Sequence, residues 1–206
     1  MLTLAIDCAT EACSVALFDG ETMVAGDFRL LGRGHAEHLV PMIAQLPGRG
    51  RAERIAVSLG PGSFTGVRIG LAAARALALA WGAQCVGYPT LALVAAMARD
   101  KSGDTPVSVA MTGGHGEWFV QDFGADGLPL AALASLAPEP AAKAATAQLV
   151  AGTQAEELVS LRGYGEAIAL RPDARAFAHL PPQLLSETLT PLYGRAPDAR
   201  LPGVGK

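Results

Sequence analysis

The sequence has few aromatic residues, few charged residues and little cysteine. Aromatic side chains make up 5% of its 206 residues and charged side chains 17%, whereas half of the residues are apolar. With many small apolar side chains and few large ones, helices can approach closely. A formal net charge of −3 argues against a protein that binds nucleic acid by broad neutralisation of phosphates.

The cysteines show no metal-binding pattern. Cys8, Cys13 and Cys85 are odd in number and lack metal-ligand spacing, so we expect free thiols in a reducing cytoplasm. The N-terminus lacks a basic leader, and acidic residues interrupt its apolar run. The apolar run at 69–81 is too short to span a bilayer and contains an arginine, so we expect no membrane association.

The most informative stretch is GPGSFTGVRIG, residues 60–70, between a strand-like run at 54–59 and a helical run at 67–81. Its glycines and proline predict a tight turn, and Ser63 or Thr65 can cap the following helix through a side-chain oxygen. Such a corner either binds an anion with its free N–H groups or allows two backbones to approach closely. A Walker loop is excluded because no Lys-Ser or Lys-Thr follows the second glycine, and the dinucleotide-binding glycine spacing is not met.

The order of predicted elements indicates an α/β protein. Strands are predicted at 2–7, 12–19, 23–31, 54–59, 84–87, 107–111 and 117–123. Helices are predicted at 35–46, at about 64–81 and at 90–99. The alanine-rich stretch 130–147 has no predicted state. A polar cluster at 101–106 predicts a boundary between a first lobe, 1–100, and a smaller second lobe, 101–206, whose tail at 197–206 we expect to be mobile.

Several segments resemble the TsaB family, also called YeaZ, whose members are bacterial partners in making threonylcarbamoyladenosine on tRNA. The eleven-residue signature carries most of the resemblance. Supporting segments are Leu4 to Leu17, Gly34 to Ile43, Gly116-Glu117-Trp118 and Pro191 to Arg195. The match is dense over 1–100 and sparse afterwards. It implies an actin-like (ASKHA, ribonuclease H-like) fold with two lobes, the second reduced.

Two departures from the family pattern lie in the second lobe. Thr112-Gly113-Gly114 stands where the family has Asp-Ala-Arg, so this chain lacks that acidic–basic pair. The segment 171–190 looks short for the family's late helix.

The resemblance implies a non-catalytic subunit that binds and stabilises TsaD, the related catalytic protein. TsaD would transfer the threonylcarbamoyl group to N6 of adenosine 37 in tRNAs reading ANN codons. The implied assembly also contains the ATPase TsaE, with ATP or ADP only at the interface of the complex and only indirect contact with tRNA. Alone, the chain is expected to be a cytoplasmic homodimer.

In the family, the signature helix and the helix before it contact the same helices of a second copy or of TsaD. The predicted contact residues are His35, His38, Leu39, Met42, Phe64, Arg68, Leu71 and Arg75. Pattern alone leaves two alternatives for the signature helix. The spacing of Gly66 and Gly70 lets a partner helix come close, or the helix packs wholly within its own lobe.

Asp7 and Thr10 lie where actin-like ATPases place an Asp and a Thr or Gly that handle the metal–phosphate group. Together with Ser63 and Thr65 they are predicted to contact a nucleotide or anion. The alternative is a structural hairpin in which Asp7 caps the turn. An independent actin-like ATPase or a sugar-kinase-like enzyme is the competing function, and a peptidase using Ser63 is a third, although no G-x-S-x-G context supports it.

His35 and His38 share one face at a helix start and could hold a metal. The stretch 88–93 lacks the His-x-x-x-His motif with which TsaD binds its metal. We therefore expect no metal and interpret the two histidines as helix-capping and partner-contacting residues.

Overall fold

A computed structural model describes residues 1–194 and contains two five-stranded sheets with helices. In the first sheet, β1 (Leu2–Asp7), β2 (Ala12–Asp19) and β3 (Thr22–Leu30) form an antiparallel meander. After α1 (His35–Gln45), β4 (Arg54–Ser58) pairs parallel with β1, and after α2 (Phe64–Trp81), β5 (Gln84–Tyr88) pairs parallel with β4. The strand order is β3-β2-β1-β4-β5. The predicted elements of this sheet are confirmed, with ends within one residue.

The second sheet repeats this order of elements. Its members are β6 (Val107–Thr112), β7 (Trp118–Phe123), β8 (Ala134–Leu136), α4 (Pro138–Ala144), β9 (Leu149–Ala151), α5 (Ala155–Arg162) and β10 (Glu166–Ile168). The strand order β8-β7-β6-β9-β10 has the same antiparallel and parallel pairings as the first sheet. This duplicated unit is the actin-like α/β architecture that the resemblance implied. The alanine-rich stretch 130–147, for which no secondary structure was predicted, contains β8 and α4.

Helix α3 (Thr90–Ser102) joins the two sheets and lies in a core common to both. Leu91 and Leu93 are fully buried there, with Tyr88 of the first sheet and Phe123 of the second in the same cluster. Strands of the first sheet fall within 2–88 and strands of the second within 107–168. Because the core is continuous, a division of the chain at 101–106 remains a prediction.

The described chain returns to the first sheet after β10. The backbone N–H of Ala174 donates to Ser14 Oγ at 2.9 Å, and the N–H of Leu192 donates to the Leu59 carbonyl at 2.8 Å. Residues 171–190 hold two short 3₁₀ helices, Ala174–His179 and Pro182–Leu184. The segment 186–193 crosses beside α2, and we call it the strap. The tail at 197–206 lies outside the described residues.

Candidate functional site

The signature loop seats the start of α2 on the β1–β2 hairpin. Ser63 is the N-cap, and its Oγ accepts a hydrogen bond from the Gly66 N–H at 3.2 Å, which confirms the predicted cap. The Ser63 N–H donates to the Ala9 carbonyl at 2.7 Å. A Cβ at Gly66 would overlap the Cys8 carbonyl, so only glycine allows this approach. The loop therefore directs Phe64 and Thr65 outward.

The two glycines of α2 face the sheet rather than a partner. Gly70 lies over Cys8 and Val57, just as Gly66 lies over the Cys8 carbonyl. The close contact that this spacing predicts is therefore with β1 and β4 of the same lobe. The prediction that these glycines admit a partner helix does not fit the structure.

A cleft of about 810 Å³ opens between the two sheets. From the first lobe, it is lined by the hairpin turn at 9–11, the segment 32–37 and the signature loop at 62–66. Of the four residues predicted to contact a nucleotide or anion, Thr10, Ser63 and Thr65 line this cleft. Three residues with hydroxyl groups thus line one wall.

The fourth residue, Asp7, is buried beneath the cleft and does not line it. Its Oδ1 accepts from the Ala9 N–H at 2.9 Å, and the Tyr88 hydroxyl lies 3.4 Å from Oδ2. Burial raises the pKa of the Asp7 carboxyl from 3.8 to about 7. This geometry fits the alternative in which Asp7 caps the hairpin turn.

The second-lobe wall of the cleft carries hydroxyl groups and glycines. It consists of Met111, Thr112, Gly113, Gly114, Phe119 and Thr153, none of which has a carboxylate. The N–H of Thr112 donates to Thr153 Oγ1 at 2.9 Å, and Gln154 Nε2 donates to Thr112 Oγ1 at 2.8 Å. The segment Thr112-Gly113-Gly114, which departs from the family pattern, is therefore part of the cleft wall and supplies no anionic metal ligand.

The first lobe supplies the charged lining residues, Glu11, Arg33 and Glu37. Arg171 Nε donates to Glu11 Oε1 at 2.7 Å, which ties the C-terminal segment to the rim of the cleft. Among residues 1–194, no group of three or more His, Cys, Asp or Glu side chains is placed to hold a metal.

Helices α1 and α2 cover one face of the first sheet and carry an apolar outer side. Their inner residues share a core cluster with Leu4 and Ile6 of β1. We give the name α1/α2 surface to six of the exposed apolar residues of these helices, which are Val40, Pro41, Ala44, Ala72, Ala76 and Leu79. Leu79 is 88% exposed. By length and composition alone, α2 is apolar and long enough to be a candidate membrane span. Only 28% of its residues are buried inside the protein.

The predicted partner contacts separate into two groups. His38, Phe64, Arg68 and Arg75 are exposed, whereas His35, Leu39, Met42 and Leu71 are buried within the chain. The latter four pack beneath the surface of the chain, so this structure does not present them to a partner, and direct contact by them stays a prediction. Their apolar periodicity reflects the inner face of each helix.

His35 also does not cap α1. Gly34 is the N-cap, and no side chain makes a capping hydrogen bond there. His35 instead places Nε2 at 3.2 Å from the Ala12 carbonyl, which anchors α1 to β2.

An aromatic and arginine cluster continues the exposed side of α2. The Arg68 guanidinium lies 3.5 Å from the centre of the Phe64 ring, and Arg68 Nη2 donates to the Tyr193 hydroxyl at 3.2 Å. The Phe64 and Tyr193 ring centres are 5.9 Å apart. Arg75 Nη2 donates to the Leu189 carbonyl at 2.7 Å, so the strap orients both arginines.

Sequence reasoning missed Tyr193, Val40 and Leu79 as surface residues. The resemblance already included Tyr193, in the segment from Pro191 to Arg195, but no local pattern placed it against Phe64. Arg195 of the same segment lies outside the described residues.

Comparisons with known proteins support one family. The family model described as TsaD: tRNA N6-adenosine threonylcarbamoyltransferase matches residues 29–170. The tRNA threonylcarbamoyladenosine biosynthesis protein TsaB of Escherichia coli K12 is 40% identical over 131 residues, covering 61% of this chain and 56% of that protein. The match therefore spans little more than half the length of this curated relative.

Two structures from Pseudomonas aeruginosa are similar over most of the chain. The structure described as YeaZ has a TM-score of 0.77 and 28% identity, covering 93% of this chain and 99% of that one. A second, described as an uncharacterized protein with similarity to peptidase YEAZ, has a TM-score of 0.73 and 31% identity, covering 85% and 87%. The similarity thus includes both sheets.

Proposed function

This chain belongs to the TsaB (YeaZ) family, and we propose that it is a non-catalytic subunit that binds and stabilises TsaD in the synthesis of threonylcarbamoyladenosine on tRNA. The bond-making step would take place on TsaD, at N6 of adenosine 37 in tRNAs reading ANN codons. The chain would work in the cytoplasm and touch tRNA only indirectly.

The observation that carries this proposal is the exposed apolar side of α2. An apolar helix with only 28% of its residues buried leaves a surface that favours a covering partner. A bilayer is a poor partner, because Gly66 and Gly70 seat the helix on the sheet and Arg68 and Arg75 lie on its exposed side. A second protein surface fits better.

The cluster of Phe64, Arg68 and Tyr193 supplies the residue types that dominate binding energy at protein interfaces. It lies at the start of α2, with the α1/α2 surface along the rest of the two helices. The arginines are already held by the strap, so less side-chain freedom is lost on docking. We propose this composite face as the contact for TsaD, and for a second copy of the chain when TsaD is absent.

The proposed action on TsaD is a shift of population. A subunit that binds one conformer of TsaD more tightly than another raises the population of that conformer in proportion to the difference in affinity. No group of this chain needs to touch the reacting atoms. TsaE would join the assembly, and ATP or ADP would bind at the interface of the complex rather than to the chain alone.

The proposal is tested with Leu79→Asp, since Leu79 is 88% exposed and its replacement leaves the core intact. We expect at least about tenfold weaker binding to TsaD, which corresponds to about 1.4 kcal/mol. Formation of threonylcarbamoyladenosine in a reconstituted reaction should fall with it. Leu130→Asp is the matched control, because Leu130 is 67% exposed but lies between β7 and β8 of the second lobe.

Calorimetry measures binding, mass spectrometry of digested tRNA measures the product, and circular dichroism checks folding. A folded Leu79→Asp protein that binds TsaD and supports modification as well as Leu130→Asp does would contradict the assignment of the surface. Product formation by this chain without TsaD would contradict the non-catalytic role.

The hydroxyl-lined cleft favours one alternative, an independent ATPase or sugar-kinase-like enzyme. That alternative predicts heat on mixing Mg-ATP with the isolated chain and turnover of the nucleotide. We expect neither, because Asp7 is buried away from the cleft and the second-lobe wall has no carboxylate. For a peptidase, Ser63 Oγ is already engaged as the helix cap.

A further inference from the structure

Two buried thiols face each other at the turn end of the β1–β2 pair. The last paired residues of these strands are Asp7 and Ser14, and Cys8 and Cys13 occupy the next positions across the hairpin. Their Sγ atoms are 3.6 Å apart. Both cysteines are free, with exposures of 1% and 0%. The two sulfur atoms are therefore in contact without a covalent bond.

The pair lies beneath α2 and behind the cleft. A Cβ built on Gly70 would be 3.6 Å from Cys8 Cβ and 3.9 Å from Cys8 Sγ, so α2 rests directly on this cysteine. Ala9, the residue after Cys8, lines the cleft. The third cysteine, Cys85, is half-buried on β5. Only Cys8 and Cys13 have a thiol neighbour within bonding reach among the described residues.

The two thiols are not equivalent. The S–H···S contact lowers the pKa of the Cys13 thiol, while the same contact and burial raise the pKa of the Cys8 thiol. Thiolate is the reactive form of cysteine. Cys13 is therefore the thiol suited to attack an oxidant, and Cys8 is the thiol suited to resolve the product.

We propose that Cys8 and Cys13 form a redox-closable pair, which a peroxide oxidises to an intrachain disulfide. Peroxide is the class of oxidant considered because the pair is enclosed and hydrogen peroxide is little larger than water. This proposal does not depend on the docking role assigned to α2.

The reaction balances with one peroxide per disulfide. The Cys13 thiol first ionises; its thiolate then attacks one peroxide oxygen, the O–O bond breaks, and the departing hydroxide combines with the proton released by that ionisation to form water, leaving a sulfenic acid. The Cys8 sulfur then attacks the Cys13 sulfur, the S–O bond breaks, and the hydroxyl leaves as water with the Cys8 proton. The two thiols lose two electrons, and peroxide is reduced to two water molecules.

Closure would move atoms that pack against α2. A disulfide has an S–S distance of about 2.05 Å, whereas these sulfur atoms are 3.6 Å apart. Since interiors are close-packed, bringing the sulfur atoms together should disturb the hairpin turn at 9–11 or the contact between Cys8 and Gly70. The first of these lines the cleft, and the second seats α2.

The test is peptide mapping of the full, folded chain after exposure to hydrogen peroxide at neutral pH. We expect the number of free thiols to fall from three to one or none. A pair of peptides linked through Cys8 and Cys13 should appear, with a mass lower by two hydrogen atoms. Dithiothreitol should restore both thiols. Cys85→Ala is the matched control and should still form the linked pair.

Single variants then assign the roles of the two thiols. In Cys8→Ser, whose hydroxyl can still donate toward Cys13, Cys13 should accumulate as a sulfenic acid that dimedone traps, whereas Cys8 in Cys13→Ser should be labelled at least about tenfold more slowly. Equal labelling rates would overturn the assigned roles. Peptide mapping of the wild-type chain tests whether Cys8 and Cys13 form a disulfide, and this test needs no variant. If Cys8 and Cys13 stay reduced after Cys85 is fully oxidised, or if each oxidises separately to a sulfinic acid, the proposal is wrong.

Discussion

The buried carboxyl of Asp7 predicts an unusual dependence of stability on pH. Its pKa is raised from 3.8 to about 7 in the folded chain, mainly by burial. Between these two values the unfolded chain has released the proton while the folded chain still holds it. The free energy of unfolding therefore falls as pH rises from about 4 to about 7, and then stays level.

The size of this effect follows from the shift. Each pKa unit corresponds to 1.36 kcal/mol, so a shift of about three units corresponds to about 4 kcal/mol at pH 8. Asp7→Asn removes the ionisation and keeps a side-chain oxygen for the Ala9 N–H. We expect the stability of the variant relative to the wild type to increase by about 3 kcal/mol between pH 5 and pH 8, because about two of the three pKa units lie in this range. The amide NH₂ needs a partner, which lowers the stability of the variant at both pH values.

Urea unfolding followed by circular dichroism, repeated from pH 5 to pH 8, measures both proteins. The matched control is Asp19→Asn, an exposed carboxyl at the other end of the same strand pair. Asp19→Asn should keep the wild-type slope of unfolding free energy against pH, and Asp7→Asn should flatten it. An Asp7→Asn protein with the wild-type slope would refute the reasoning, because burial of this carboxyl would then not cause the dependence.

Two further substitutions probe the backbone by urea unfolding. Gly66→Ala should destabilise the chain by at least about 2 kcal/mol, since the new Cβ would overlap the Cys8 carbonyl, whereas Gly114→Ala meets no atom within 4 Å and should be neutral. If Gly66→Ala left the free energy of unfolding unchanged, α2 would be able to move away from the Cys8 carbonyl without destabilising the chain, contrary to this explanation. Arg49→Gly should stabilise by about 0.5–1 kcal/mol, because Arg49 has a φ of 56°. Arg51→Gly, at a φ of −62°, should not stabilise, and an equal gain there would contradict the explanation.

The first sheet could be predicted because its local signals agree. A short apolar run marks β1 as a buried strand, and alternation marks β2. Asp19-Gly20 marks the turn between β2 and β3, and Ser63 with the following apolar run marks the start of α2. The second lobe was less predictable. Strands β8, β9 and β10 have three residues each, which is too short for a periodic pattern. Their duplication of the first sheet is visible only in the pairing.

The candidate site was predicted in part for a related reason. Thr10, Ser63 and Thr65 follow strand ends that meet at one edge of the sheet, and all three line the cleft. Asp7 is the last residue of β1, two positions before Ala9, where the cleft wall begins, and its side chain is buried in the core. A difference of a few residues along a strand thus separates a cleft residue from a buried one.

By itself, the sequence determined the strand and helix positions of the first lobe, the capped turn at 60–66 and, through the signature, the family. Tertiary structure alone decided which side of α2 faces water, because alanines and leucines occur on both of its faces and a helical period does not say which face the sheet will cover. It also decided the long-range neighbours, such as Tyr193 beside Phe64, which are 129 positions apart in the printed numbering. Such contacts depend on how the C-terminal segment returns across the first sheet, and no local pattern records that path.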